Sequence, residues 1–177
     1  MDIGSGKGYP ASALSNFAPH PFIIDGIECN SMEGFLQSLK FENPNMQKEV
    51  CKLVGKLAKF KGKKKKWWKT QILYWQGEII PRQSEEYKNL ITRAYDCLAK
   101  NIGFQKALLA TGNASLTHSI GKDNTTETVL TKREFTRQLY RIRDDLKRNT
   151  KVLCSPQQIA EADCCGDIIK CKGACYV

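Results

Sequence analysis

The sequence predicts a mainly helical α+β fold in one compact domain. Apolar residues recur at helical spacing in several stretches between Met32 and Leu146. Only two short stretches, 22–29 and 72–82, read as strands, and each folds about a glycine turn. The chain has 177 residues, 41% hydrophobic and 26% charged, which suffices for one core and is ordinary for a soluble globular protein. No internal repeat or second domain is visible, so 1–150 reads as the domain and 151–177 as a Cys-rich tail.

The opening MDIGSGKGYP lacks the apolar core of a signal peptide. No apolar run approaches the roughly 18 residues of a membrane span. A cytoplasmic location is the default expectation. GSGKG is not a Walker loop, because that motif needs four residues before its Gly-Lys pair and Ser or Thr after it; here Gly8 follows Lys7. The arm reads as flexible backbone able to approach a ligand. Pro19 and Pro21 keep the next residues extended, and Asp25-Gly26 is a hairpin signal within 22–29.

Ser31 is a suitable N-cap for a helix running to Phe41. Met32, Phe35, Leu36 and Leu39 form one apolar ridge on it. Glu33, Gln37 and Lys40 form a second ridge, about 100° away and therefore beside the first. Taken alone, such a ridge is ordinarily a solvated flank. Glu33 and Lys40 stand two turns apart, about 10 Å, too far for an ordinary surface ion pair.

Asn43-Pro44-Asn45 breaks that helix, and Met46, Val50, Leu53, Val54 and Leu57 predict a second one. It leads into KFKGKKKKWWK. The net charge is +10, from 28 basic and 18 acidic residues. Nine lysines fall between Val50 and Gly77, with no Asp or Glu among them. Setting those nine aside leaves 19 basic against 18 acidic residues. A near-neutral protein with one basic segment, Lys52 to Lys69, points to phosphates approaching from one side; the alternative is a solubilising charge run. Trp67 and Trp68 lie against these lysines, as base stacking on a phosphate chain requires. At least one of them is equally suited to the core.

Residues 72–82 predict a hairpin about Gln76-Gly77. Ser84, Glu85 and Glu86 then cap a helix whose inward face is Tyr87, Leu90, Ile91, Ala94, Tyr95 and Leu98. Asn101 and Gly103 end it, and a short helix spans 104–109. The polar stretch that follows carries His118, Gly121, Lys122, Asp123 and Glu127, functional groups on a loop between helices. An ordinary exposed connection is the other reading. Thr131 and Glu134 make a capping box for a helix with Phe135, Leu139, Ile142 and Leu146 inward. Ser155-Pro156 can start one more short helix. Of eight cysteines, Cys51 and Cys97 fit helical core positions and five crowd the tail. Their spacing matches no paired zinc knuckle, so no metal is expected.

SNFAPHPF, the Asp-Gly turn and MEGFLQSLKF together resemble the signature of the NADAR superfamily, the YbiA-like N-glycosidases. KALLATGNASLTHSIGK and ETVLTKREFTRQLYRIR resemble its later blocks, in the branch with phage and bacterial members. The similarity spans roughly residues 9 to 148. It implies a compact multihelical fold with a small sheet, and cleavage of a ribosyl N-glycosidic bond without metal or cofactor. Relatives act on riboflavin-pathway intermediates or on ADP-ribose attached to guanine in nucleic acid. The resemblance puts the essential glutamate at Glu33, with Asn16, Phe17, Gln37 and Lys40 around it. Trp67, Trp68 and Trp75 compete for a middle-segment tryptophan. GKDNTTET stands where the YbiA branch has Trp-Gly-Asp, leaving Asp123 and Glu127 as alternatives for that aspartate.

The implied chemistry suits these residues. Breaking a ribosyl C–N bond builds positive charge on the sugar, which a fixed carboxylate stabilises. A second carboxylate can steer water or protonate the leaving base. Lys40, Lys122 and backbone N–H groups near Gly121 can hold a pyrophosphate, and His118 can line the same loop. The lysine segment favours ADP-ribosylated DNA as substrate over a riboflavin intermediate. A nucleic-acid or ADP-ribose binding module without turnover is the competing class.

Overall fold

The computed structural model describes residues 1–153. The helix start expected at Ser155-Pro156 and the five cysteines from Cys154 onward lie outside the described residues.

Two antiparallel hairpins and six helices build the domain. Strand β1 (Phe22–Ile24) pairs with β2 (Ile27–Cys29), Phe22 opposite Cys29. Between them Asp25 and Gly26 take φ of 49° and 77°, the left-handed values that this two-residue turn demands. Strand β3 (Ile72–Trp75) pairs with β4 (Glu78–Pro81) in a second, separate sheet, about Gln76 and Gly77 at φ of 49° and 93°. Trp75 Nε1 donates to Asp25 Oδ2 at 2.8 Å and so ties the two hairpins together.

Helix α1 (Met32–Ser38) is the centre, with every residue buried. Ser31 Oγ accepts from Gly34 N–H at 3.0 Å and donates to the Leu53 carbonyl at 2.9 Å. Phe35 meets Phe22 and Trp75 edge-on, at ring separations of 6.2 and 5.1 Å. The helix stops at Ser38, short of the expected Phe41, so Lys40 stands beyond its last turn.

The single helix expected from Met46 to Leu57 is in fact two. Helix α2 (Pro44–Cys51) is capped by Asn43, whose side chain accepts from Asn45 and Met46 N–H groups. Helix α3 (Gly55–Lys63) starts afresh after an extended Val54. Gly55 takes φ of 55°, a turn that apolar spacing does not register. Both helices pack on α1. Gln47, fully buried, donates to the Phe41 and Tyr74 carbonyls and accepts from Gln76 N–H, fastening α2 to the second hairpin.

Helix α4 (Glu85–Leu98) is capped by Ser84 as expected and packs on β1, β4 and the last helix. Asn101 caps helix α5 (Ile102–Ala110) by accepting from Phe104 N–H at 3.1 Å, which puts Gly103 inside a helix. Helix α6 (Lys132–Leu153) packs on α5. Its capping box is formed: Glu134 N–H donates to Thr131 Oγ1 at 3.1 Å, and Thr131 N–H to Glu134 Oε2 at 2.7 Å. Among the described residues no helix is long and apolar enough to cross a membrane.

Candidate active site

A pocket of about 490 Å³ opens beside α1. Its volume suits a ligand the size of a nucleotide or sugar nucleotide. Glu33, Leu36 and Gln37 of α1 line it, with Lys40 just past the helix end. Ser15, Asn16 and Phe17 contribute from the loop before β1. Lys59 contributes from α3 and Trp67 from the 3₁₀ turn after it. The far wall is His118, Ile120 to Lys122 and Glu127 to Thr131, with Phe135 behind them.

Glu33 is the pocket's buried carboxylate, 8% exposed. Its N–H donates to the Asn16 carbonyl at 2.8 Å, which pins the SNF loop to the start of α1. The Asn16 side chain is fixed in turn, its Oδ1 accepting from Tyr95 OH at 2.9 Å. Gln37 Nε2 donates to Glu33 Oε1 at 2.8 Å, while Gln37 Oε1 is buried without a partner. The polar ridge of α1 is no solvated flank, because α3 covers it. Gly55, Ala58 and Gly62 are the buried residues of α3, and a Cβ at Gly62 would stand 1.9 Å from Gln37 Oε1.

Burial pushes the Glu33 carboxyl above the ordinary carboxylate range, while the Gln37 hydrogen bond and the Lys40 and Lys59 ammoniums oppose it. Burial likewise brings Lys40 down to about 8; Glu33 resists that shift and Lys59 adds to it. The result is a desolvated carboxyl sharing a small pocket with two lysine side chains. Lys59 Nζ also stands 5.6 Å above the Phe17 ring.

The far wall is held from beneath by Arg82, which is 2% exposed. Its Nε donates to the Thr128 carbonyl at 3.1 Å and its guanidinium pairs with Glu134 at 2.7 Å. Tyr87, stacked under Arg82 at 4.1 Å, donates its hydroxyl to the Val129 carbonyl. His118 Nδ1 lies 2.8 Å from the Ile3 carbonyl and so donates to it, which anchors the ring. Lys122 and Glu127 pair at 3.0 Å on the open rim.

Of the residues singled out in the sequence, Asn16, Phe17, Glu33, Gln37, Lys40, Trp67, His118, Gly121, Lys122 and Glu127 share this pocket. Asp123 and Trp68 are not in its lining. Asp123 turns instead to the start of α6, where it accepts from Arg133 N–H at 3.3 Å and pairs with Lys132 and Arg133 at 3.4 Å. A carboxylate is favoured there by the helix dipole. Trp67 takes the inward position and Trp68 stays 45% exposed. Sequence reasoning missed Ser5, Ser15 and the 128–131 backbone wall. It also missed Lys59 as an individual pocket residue, since nothing in a run of nine lysines distinguishes the one beside the carboxylate.

Fold and pocket together define a YbiA-like α+β domain with a desolvated carboxylate on its central helix. The E. coli protein YbiA, solved by NMR, matches with a TM-score of 0.54 over 84% of each chain at 17% identity. The chain belongs to the bacteriophage protein GP30.3 family, whose model matches residues 8–144. An uncharacterised 17.1 kDa protein from the Gp30-rIII intergenic region of Enterobacteria phage T4 is 38% identical over 151 residues, covering 82% of this chain and 98% of that one.

Proposed function

We propose that this protein is an N-glycosidase that removes ADP-ribose from ADP-ribosylated guanine in DNA. The observation that carries the reading is the buried Glu33 carboxylate, set between an amide donor and two ammoniums inside the pocket. As the sugar C1′–N bond lengthens, positive charge spreads over C1′ and the ring oxygen. An anion that burial has destabilised gains most when positive charge develops beside it, so the interaction is stronger in the transition state than in the ground state. Water then supplies hydroxide to C1′, and its proton goes to the departing base. His118, its ring anchored through Nδ1 on the Ile3 carbonyl, lines the pocket and can relay that proton through Nε2. Glu127 is held below the ordinary carboxylate range, chiefly by its hydrogen bond from Lys122, so it stays ionised and serves to orient rather than to donate a proton. Lys40, Lys59 and Lys122 suit a pyrophosphate, and Trp67 and Phe17 offer apolar faces for a base.

The test is mass spectrometry of an oligonucleotide carrying ADP-ribosylguanine, incubated with wild type and with Glu33→Ala. Loss of the ADP-ribose mass with wild type only supports the reading. An unchanged mass with wild type overturns it, and release of ribose phosphate from small aminopyrimidines instead would move the assignment to riboflavin intermediates.

A further inference from the structure

The lysine segment has a geometry that the pocket does not use. All nine lysines from Lys52 to Lys69 are exposed. Among the described residues only Lys52 of these nine enters an ion pair, with Glu49. Lys59 and Lys65 rest over Phe17 and Phe41. Among the described residues the other eight have no carboxylate partner within ion-pair distance. Helix α3 turns Gly55, Ala58 and Gly62 inward. At about 100° per residue its opposite side carries Leu57 and Phe60, flanked by Lys56, Lys61 and Lys63. Leu57 and Phe60 are 69% and 60% exposed, and Trp68 follows beyond Lys64 to Lys66. Exposed rings alternate with free ammoniums along one helix and the turn after it. Lys59, on the edge of the same helix, lines the pocket.

We infer that the outer face of α3 and the turn at Trp67–Lys69 form a track for single-stranded nucleic acid that leads into the pocket. Its ammoniums meet successive phosphates, and Phe60 and Trp68 stack on unpaired bases. A duplex fits poorly, because its bases are already stacked on one another and offer no free face to a ring. An anionic membrane would also meet lysines and apolar side chains. The site's own geometry favours the strand, since Lys59 joins this face to a pocket whose Glu33, Gln37 and Lys40 suit a polar ligand. The track rests on the glycosidase reading only for what enters the pocket. Its binding of unmodified strand stands apart from turnover.

Fluorescence anisotropy of the full chain with an unmodified single-stranded oligonucleotide therefore tests it separately from cleavage. The same measurement is made with a duplex of equal length and with phosphatidylserine-containing vesicles. Neutralising about four phosphates should weaken strand binding about 50-fold between 50 and 200 mM salt. Phe60→Ala and Trp68→Ala should each weaken it about tenfold. Replacing Lys61, Lys64 and Lys66 together by alanine should lower the salt slope by about 2. All these side chains are exposed, and circular dichroism checks that each variant keeps its helices. Binding of the duplex as tightly as the strand, tighter binding to vesicles, or no loss with either aromatic variant overturns the track.

Discussion

Gln37 Nε2 donates to Glu33 Oε1 at 2.8 Å, one turn apart on a helix in which every residue is buried. A surface pair of this kind would contribute little. Here it orients a carboxylate whose burial raises its pKa. Glu33→Gln keeps the shape and removes the anion, so turnover of the ADP-ribosylated oligonucleotide should fall by about a hundredfold or more. The folded protein should not suffer. A carboxyl with a raised folded-state pKa stabilises the fold fully below its unfolded pKa, near 4.5, and that stability is lost as pH rises through the folded value. Above the folded value the Glu33 carboxylate is therefore a burden, and Glu33→Gln should melt there at or above the wild-type temperature. A large drop in melting temperature would recast Glu33 as a structural group.

If the proposed function holds, Lys40 should give the rate an alkaline limb. Its ammonium is brought down to about 8 by burial, against an ordinary value of 10.5. Between those values the folded state binds fewer protons than the unfolded chain, so stability rises with pH in this window. On the proposed function activity should move the other way, falling above pH 8 as the Lys40 cation, proposed to meet the pyrophosphate, is lost. Lys40→Arg keeps its charge and should carry the limb past pH 10, seen as a flat pH–rate profile across that range. A limb that stays at 8 in Lys40→Arg would assign it to another group.

Two glycines on either side of Glu33 should behave oppositely. A Cβ at Gly34 would stand 2.6 Å from the Leu53 carbonyl and 2.8 Å from that of Cys51, both backbone atoms. Gly34→Ala forces α1 away from α2 and should cost about 1–3 kcal/mol in urea denaturation. At Gly62 the closest atoms are the Gln37 amide, Oε1 at 1.9 Å and Cδ at 2.9 Å, which can swing aside, while Gln37 Cβ at 3.1 Å has to give only slightly. Gly62→Ala should leave stability within about 1 kcal/mol, since alanine favours the helix. It should nevertheless lower kcat, because Gln37 leaves Glu33.

These two glycines also mark what could be read in the sequence. The N-cap at Ser31, the Asp25-Gly26 turn, the Ser84 cap and the Thr131–Glu134 box rest on local chemistry, and each forms as read. The break at Gly55 does not follow from apolar spacing, because glycine is also tolerated within a helix. Periodicity put Glu33 and Gln37 beside the core but could not show that α3 closes over them through Ala58 and Gly62. The motif resemblance, not the pattern, marked Glu33 as more than a helix flank. The buried Arg82 was illegible for a related reason. Its partners Thr128 and Glu134 are 46 and 52 residues away, and nothing local announces them.

Arg82 supports the pocket's far wall, and its removal should be felt there. Arg82→Ala leaves the Thr128 carbonyl without its Arg82 donor, and the partly buried Glu134 with Thr131 but without its cationic partner. The expected cost is about 3 kcal/mol, measured by chemical denaturation. Arg82→Met fills the space without the charge and should recover part of that loss only when Glu134→Gln is added. A loss in the double variant equal to the sum of the two single losses would mean that the pair is not coupled.

The late loop holds two carboxylates, and their surroundings separate them. Asp123 is spent on the first turn of α6, through Lys132, Arg133 and a backbone N–H. Asp123→Asn should lower the melting temperature by a few degrees at most and leave the rate near wild type. Glu127 lies in the pocket's rim with Lys122, and Asn124 Nδ2 donates to its other oxygen at 3.1 Å. Those contacts keep it ionised at neutral pH, so it has no proton to give. On the proposed function it would hold Lys122 in place. Glu127→Gln should therefore reduce kcat about tenfold while Glu33→Gln reduces it far more, and the acid limb expected from protonation of Glu33 should remain in Glu127→Gln. If that limb disappears with Glu127 and survives in Glu33→Gln, the proton-dependent step belongs to the rim carboxylate and the roles of the two glutamates are reversed.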